Sequence, residues 1–171
     1  LDSALEKYET AYQKSEEIMK KATKERDYNP QVKDLDKIIK QITSNLAVCY
    51  LKKKEYEKCI ELDISIISKD PNYDKSYVRL YQCYKELGNL DHACYFGLRL
   101  KNGFDEETKG KYTTIIEEIT KLEEELNKKY ADEIAKRKKE FYKKLAKYVI
   151  PVIVLVGSIL YYFLGIKKKR K

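Results

Sequence analysis

Apolar residues along the first 130 or so positions recur at intervals of three and four, and no run alternates in the manner of a strand, so the pattern predicts helices throughout. Polar turns punctuate them. Lys53-Lys54-Glu55 and Gly88-Asn89 each close one helix and precede another, while Pro71 and Asp105 mark the exits from the second helices. From about 106 to 147 the spacing predicts one long helix, with Ile115, Ile116, Ile119, Leu122 and Leu126 placed to cover the end of whatever precedes them. Residues 148–166 then run without a charge. At about 1.5 Å per residue that segment crosses roughly 28 Å of hydrocarbon, which is long enough to span a bilayer.

Sliding the chain along itself until Leu46 falls on Leu80 also superposes Cys49 on Cys83, Tyr50 on Tyr84, Cys59 on Ala93, Ile66 on Leu100 and Pro71 on Asp105. A period of about 34 residues is the signature of tetratricopeptide repeats, in which each unit is a helix pair that cannot bury its apolar face alone. Stacking the pairs buries a continuous core and leaves a groove lined by the first helix of each. The expected architecture is therefore all-α: repeats over 1–104, with units two and three at about 38–71 and 72–104, a capping helix and basic stalk over 105–147, a transmembrane anchor at 148–166 and a basic tail at 167–171. Ala4, Tyr8 and Ala11 repeat the spacing of Ala93, Gly97 and Leu100, so residue 1 is expected at the turn inside a first repeat whose first helix would lie upstream. Ala4 and Cys59 stand further apart than one period, which places an insertion around Asp27-Tyr28-Asn29-Pro30.

Charge sharpens this division. The chain has a formal net charge of +8, yet residues 136–171 hold twelve Lys/Arg against one Glu, whereas residues 1–135 hold 24 against 27 Asp/Glu. The basic excess belongs to the apolar end, where it favours anionic lipid headgroups, and the mildly acidic remainder argues against nucleic acid. Basic residues flank both sides of the span, so they orient it only weakly. The short basic tail is the part more easily translocated, which places residues 1–147 in the cytosol. Tyr148, Tyr161 and Tyr162 near the ends suit the headgroup layer, and Pro151 falls in the first turn of the anchor, where it breaks little. Four cysteines, Cys49, Cys59, Cys83 and Cys94, lack CxxC spacing and sit in apolar helical patterns, as small core residues of a reducing compartment do. The single histidine, His92, follows Asp91 at an exposed helix start and reads as structural rather than metal-binding.

The stretch from Ser44 to Ala93, with NLAVCY at 45–50 and KSYVR at 75–79, resembles the tetratricopeptide domain of large FKBP-type immunophilins and related co-chaperones. That resemblance covers about residues 1–130. It implies a carboxylate clamp for the C-terminal Glu-Glu-Val-Asp tail of cytosolic heat-shock chaperones, with Asn45, Lys75 and Arg79 at the matching positions. Asn45 and Arg79 are related by the repeat shift, and Lys75 lies one helical turn before Arg79 on the same face. An Arg fork, a Lys point charge and an Asn amide together make an anion seat; the plain alternative is a solvated basic face. The family draws a further Lys and Asn, and its peptidyl-prolyl isomerase domain, from sequence upstream of residue 1. Within residues 1–171 there is no phosphate loop, metal cluster or nucleophile–histidine arrangement, so no enzyme, metal or cofactor is expected in this chain.

The basic stretch at 136–148 could lie on lipid, run straight into the span or bind calmodulin, and lipid contact is the expectation favoured. Together these features predict a tail-anchored co-chaperone on the cytosolic face of the endoplasmic reticulum or the outer mitochondrial membrane. The alternative is a non-enzymatic, fission-adaptor-like scaffold whose tyrosine-rich groove grips a protein surface.

Overall fold

The structure, a computed structural model, describes residues 1–24 and 31–169, with side chains described for 1–21 and 34–162. The expected break at Asp27–Pro30 and the tail residues Arg170 and Lys171 lie outside the described residues. Among the described residues every regular element is a helix: α1 (Asp2–Lys24), α2 (Gln31–Lys53), α3 (Tyr56–Lys69), α4 (Asp74–Glu86), α5 (Leu90–Gly103), α6 (Glu106–Lys111) and α7 (Thr113–Lys169). The chain divides into two compact units, Leu1–Glu123 and Glu124–Lys171.

In the first unit each helix packs on the next, α1 on α2, α2 on α3, α3 on α4 and α4 on α5. The periodic residues account for this. Leu46, Cys49 and Tyr50 of α2 meet Leu5 of α1 and Cys59 of α3 in one buried cluster, while Leu80 and Tyr81 of α4 meet Ala93, Phe96 and Leu100 of α5 in a second. Cys59 and Ala93 are fully buried, as expected of small residues where two helices cross closely. All four cysteines are buried and free. The contact with Cys83 and burial together push the Cys59 thiol well above its ordinary range, in keeping with its place as a packing group in the buried cluster.

The repetition extends to individual turn hydrogen bonds. The N–H of Glu55 donates to the carbonyl of Tyr50 at 3.0 Å and that of Lys54 to Leu51 at 3.0 Å; one period later Asn89 donates to Tyr84 at 2.9 Å and Gly88 to Lys85 at 3.0 Å. Both turns are Schellman caps, in which the residue after the helix adopts left-handed backbone. At the second that residue is Gly88, with φ 71°; at the first it is Lys54, with φ 62°, where a Cβ meets the following carbonyl. Replacing Lys54 by Gly should therefore raise stability by about 0.5–1 kcal/mol, because the relief of about 1–2 kcal/mol exceeds the entropy that glycine adds to the unfolded chain. A higher urea midpoint for Lys54→Gly checks this, and a lower one would show that Lys54 is unstrained.

Two features depart from the sequence expectation. The helix expected over 106–147 is interrupted at Tyr112: α6 ends there, and Tyr112 has φ −125° and ψ 24°. The cause is a side chain recruited into the core. Tyr112 packs on the α4–α5 cluster and its hydroxyl donates to Asp74 Oδ2 at 3.0 Å, while Gly110 weakens the helix just before it. Second, α7 passes through the expected start of the anchor without a break, so Pro151 lies inside a helix rather than in the first turn of one. With no N–H at Pro151, the Lys147 carbonyl loses its helical donor.

Within the first unit, the start of α7 packs on the α4–α5 cluster. Ile119 is fully buried, Ile115 and Leu122 pack against the α4–α5 cluster, and Ile116 is half-buried. Ile119 seats against Gly97, where a Cβ would lie 2.7 Å from its Cγ1. In the second unit, α7 contains one segment long and apolar enough to cross a membrane, none of it buried.

Candidate functional site

Residue chemistry along α2 and the start of α4 sets the character of the surface these helices share. Lys37, Lys40, Gln41, Asn45 and Val48 recur at helical spacing on α2, and Lys75 and Arg79 lie one turn apart on α4. All of them, with Ser44 and Tyr73, line a single cavity of about 360 Å³. The three residues singled out from sequence, Asn45, Lys75 and Arg79, thus come together in one place. Lys75 is exposed there, Asn45 is half-buried and Arg79 is buried.

Their side chains differ in how much they have to offer. Arg79 donates through Nε to Asp63 Oδ2 at 2.8 Å and through Nη2 to Asp63 Oδ1, a forked pairing with a carboxylate of α3 that is itself completely buried. Ser76 adds its hydroxyl to Asp63 Oδ1 at 2.7 Å, and the Cys59 thiol lies 3.6 Å from Oδ2. Burial would lower the Arg79 pKa, but the hydrogen bond to Asp63 and its charge outweigh that and hold it above the ordinary value. The fork expected to face a ligand is therefore turned towards Asp63. Asn45 donates from Nδ2 to the Tyr8 hydroxyl at 3.3 Å, a long bond that leaves its amide oxygen available. Lys40 is fixed by Asp70 Oδ2 at 2.7 Å, with its ammonium 5.3 Å from the centre of the Tyr73 ring. That contact holds the Asp70 carboxyl below its usual range. The Tyr73 hydroxyl donates to Ser44 Oγ at 3.0 Å.

The contacts of Asn45 and Arg79 are themselves related by the repeat. Asn45 and Arg79 stand one period apart, and Tyr8 and Asp63 are the matching positions on α1 and α3, offset just as Ala4 and Cys59 are. In each case a residue of one helix reaches back to the helix before it, α2 to α1 and α4 to α3. Asp63 was not apparent as a site residue from sequence, although it had a signal. Cys59, Asp63 and Ile66 fall on one apolar stripe of α3, and a carboxylate at a core position requires a cation. Lys37, Lys40 and Tyr73 carried no such signal, since lysines are common on any solvated helix face.

Further along the same helices lies a cavity of about 540 Å³, lined by Leu51 and Lys52 of α2, by Tyr81, Gln82, Lys85 and Glu86 of α4, and by Tyr56, Ile115 and Glu118. Lys85 donates to Glu118 at 2.6 Å and Tyr81 to the same oxygen at 3.3 Å, while Lys52, Lys54 and Glu86 also line the space. No group of three or more potential metal ligands occurs among the described residues. His92 is exposed, stacks on Tyr84 at 5.0 Å and lies 2.9 Å from the Asn89 side-chain oxygen through Nδ1, as a helix-start residue. Compared with protein-family models and with curated proteins, the chain matches none.

Proposed function

We propose that this chain is a membrane-anchored adaptor whose first unit, read as tetratricopeptide repeats, binds an acidic peptide ending in a free carboxylate. The observation that carries the reading is the convergence of Asn45, Lys75 and Arg79 with Lys37 and Lys40 on one cavity. Lysine ammonium groups, with the amides of Gln41 and Asn45, border a space that can accept a carboxylate terminus and an acidic side chain together. Lys75 is the principal ligand contact, because Lys40 is partly committed to Asp70 and Arg79 to Asp63. The resemblance to immunophilin-type co-chaperones makes the Glu-Glu-Val-Asp tail of cytosolic heat-shock chaperones the first candidate partner. The apolar end of α7 would hold this domain on the cytosolic face of the endoplasmic reticulum or the outer mitochondrial membrane, in a non-catalytic role.

Titrating a Glu-Glu-Val-Asp peptide into the full chain tests the proposal. Loss of one charge-assisted hydrogen bond costs about 1.5–3 kcal/mol, so Lys75→Ala should weaken binding by about ten- to a hundredfold, and amidation of the peptide terminus should do likewise. Equal affinity for wild type and Lys75→Ala would sink the clamp. A second reading, a scaffold gripping a protein surface, is favoured by the cavity that Tyr56 and Tyr81 line with Leu51 and Ile115. Such a partner would survive Lys75→Ala and be lost on Tyr81→Ala.

A further inference from the structure

Between the first unit and the apolar segment, α7 is a helix with two unlike faces. Phe141, Leu145 and Tyr148 fall within an arc of about 60° at 100° per residue, and Lys136, Lys139, Lys143 and Lys147 crowd the opposite side. Phe141 is 61% exposed and Tyr148 68% exposed, so large apolar surface stands in solvent without cover from the described residues. Arg137 and Lys144 border that face on one side and Lys138 on the other, where a long basic stem can follow apolar surface and release its charged head at the headgroup level. Seven Lys/Arg against one Glu within 136–147 select an anionic partner. They exclude a second parallel copy, which would bring both sets of cations together.

Continuity with the apolar segment adds a geometric requirement. An upright helix running straight out of a bilayer would touch headgroups only with its last turn, leaving Phe141 in water. Pro151 removes that restriction. It lies inside α7, lacks the N–H that would bind the Lys147 carbonyl, and its ring crowds that same carbonyl. A bend at Pro151 would fall between the amphipathic stretch and the core of the apolar segment, where water could satisfy the freed carbonyl.

We infer that α7 bends at Pro151 and that residues 136–148 dock on an anionic lipid surface, with Phe141, Leu145 and Tyr148 inserted and Arg137, Lys138 and Lys144 among the headgroups. This rests on the reading of the following segment as a membrane anchor. Tethering makes the docking intramolecular, so a modest surface affinity suffices. Even the lysines facing away from the lipid stay within about one Debye length of the phosphates.

Because the chain contains no tryptophan, single tryptophans report position without background. The full chain carrying Phe141→Trp, Ala146→Trp or Leu155→Trp is reconstituted in phosphatidylcholine vesicles, with or without phosphatidylserine, and quenched with brominated lipid. In a docked stalk Trp at 141 is quenched more than Trp at 146, which sits on the other face; in an upright stalk the order reverses, because 146 is nearer the span. The expected result is the docked order with phosphatidylserine, at least about twofold stronger at 141 than in neutral vesicles and reduced by salt. Adding Pro151→Ala should restore the upright order. The upright order in both lipids, or a response at 141 to added calmodulin alone, overturns the docking. A docked order that persists in Pro151→Ala overturns the hinge. Absence of quenching at 155 would instead refute the anchor.

Discussion

Asp63→Asn is expected to destabilise the first unit by about 3–5 kcal/mol, the cost of leaving a buried charge without its counter-ion. Asp63 has no exposed side-chain surface and the Arg79 side chain only 7%. The substitution keeps the shape of the side chain but turns an acceptor-only carboxylate into an amide whose NH₂ group must face a guanidinium or the Ser76 hydroxyl. Total stability of a domain this size is of the order of 5–15 kcal/mol, so the loss should move the urea midpoint by a large fraction of its value. Removing both charges is a different matter. A well-packed apolar replacement such as Asp63→Leu with Arg79→Met should recover most of the loss, since buried ion pairs return little beyond their own desolvation. Urea unfolding of the full chain in detergent, followed by helical circular dichroism, measures both. A single-mutant loss below about 1 kcal/mol would mean that Arg79 swings out to water through the cavity it lines. The same pair links stability to binding. With Asp63 neutralised, the guanidinium at the cavity wall is no longer compensated, so affinity for an acidic peptide should hold or rise while stability falls.

That division also shows where the sequence was readable. The repeat period located the turns before α3 and α5 and the small residues where helices cross, because polar turn residues and small crossing residues are local signals that survive at fixed spacing; the left-handed cap geometry at Lys54 and Gly88 came from the structure. The period placed Asn45 and Arg79 at equivalent sites. It did not reveal that Arg79 is engaged, because the ion pair joins different helices and depends on how α3 and α4 are packed. Tyr112 was missed for a similar reason: continued helix periodicity hides a side chain drawn away to Asp74 by tertiary contact. The continuity of α7 through Pro151 likewise overrode a local breaker signal.

The packing of α7 on α5 gives the second large effect, and its sign can be reversed. Ile119→Ala should cost about 2–5 kcal/mol, because Ile119 is fully buried and the space it leaves is walled by Leu100, Phe96 and the backbone at Gly97. Gly97→Ala in the otherwise unchanged chain should also destabilise, by about 1–3 kcal/mol through overpacking. The new Cβ would lie 2.7 Å from Ile119 Cγ1 and 3.1 Å from Cγ2, and rotation about χ1 only exchanges one branch for the other. In the Ile119→Ala background those atoms are gone. Alanine at 97 then fills part of the cavity and brings better helix propensity within α5, worth about 1 kcal/mol, so the substitution that harmed the native chain should stabilise the variant. A double-mutant cycle on urea midpoints reads the reversal directly. Additive effects, with Gly97→Ala costing the same in both backgrounds, would show that α7 does not seat Ile119 in the Gly97 notch. The reversal matters for the second cavity as well as for the core. Glu118, which holds Lys85 and Tyr81 at the wall of the second cavity, is the residue before Ile119, so seating Ile119 against Gly97 fixes the start of α7 and the charge pairing along α4 together.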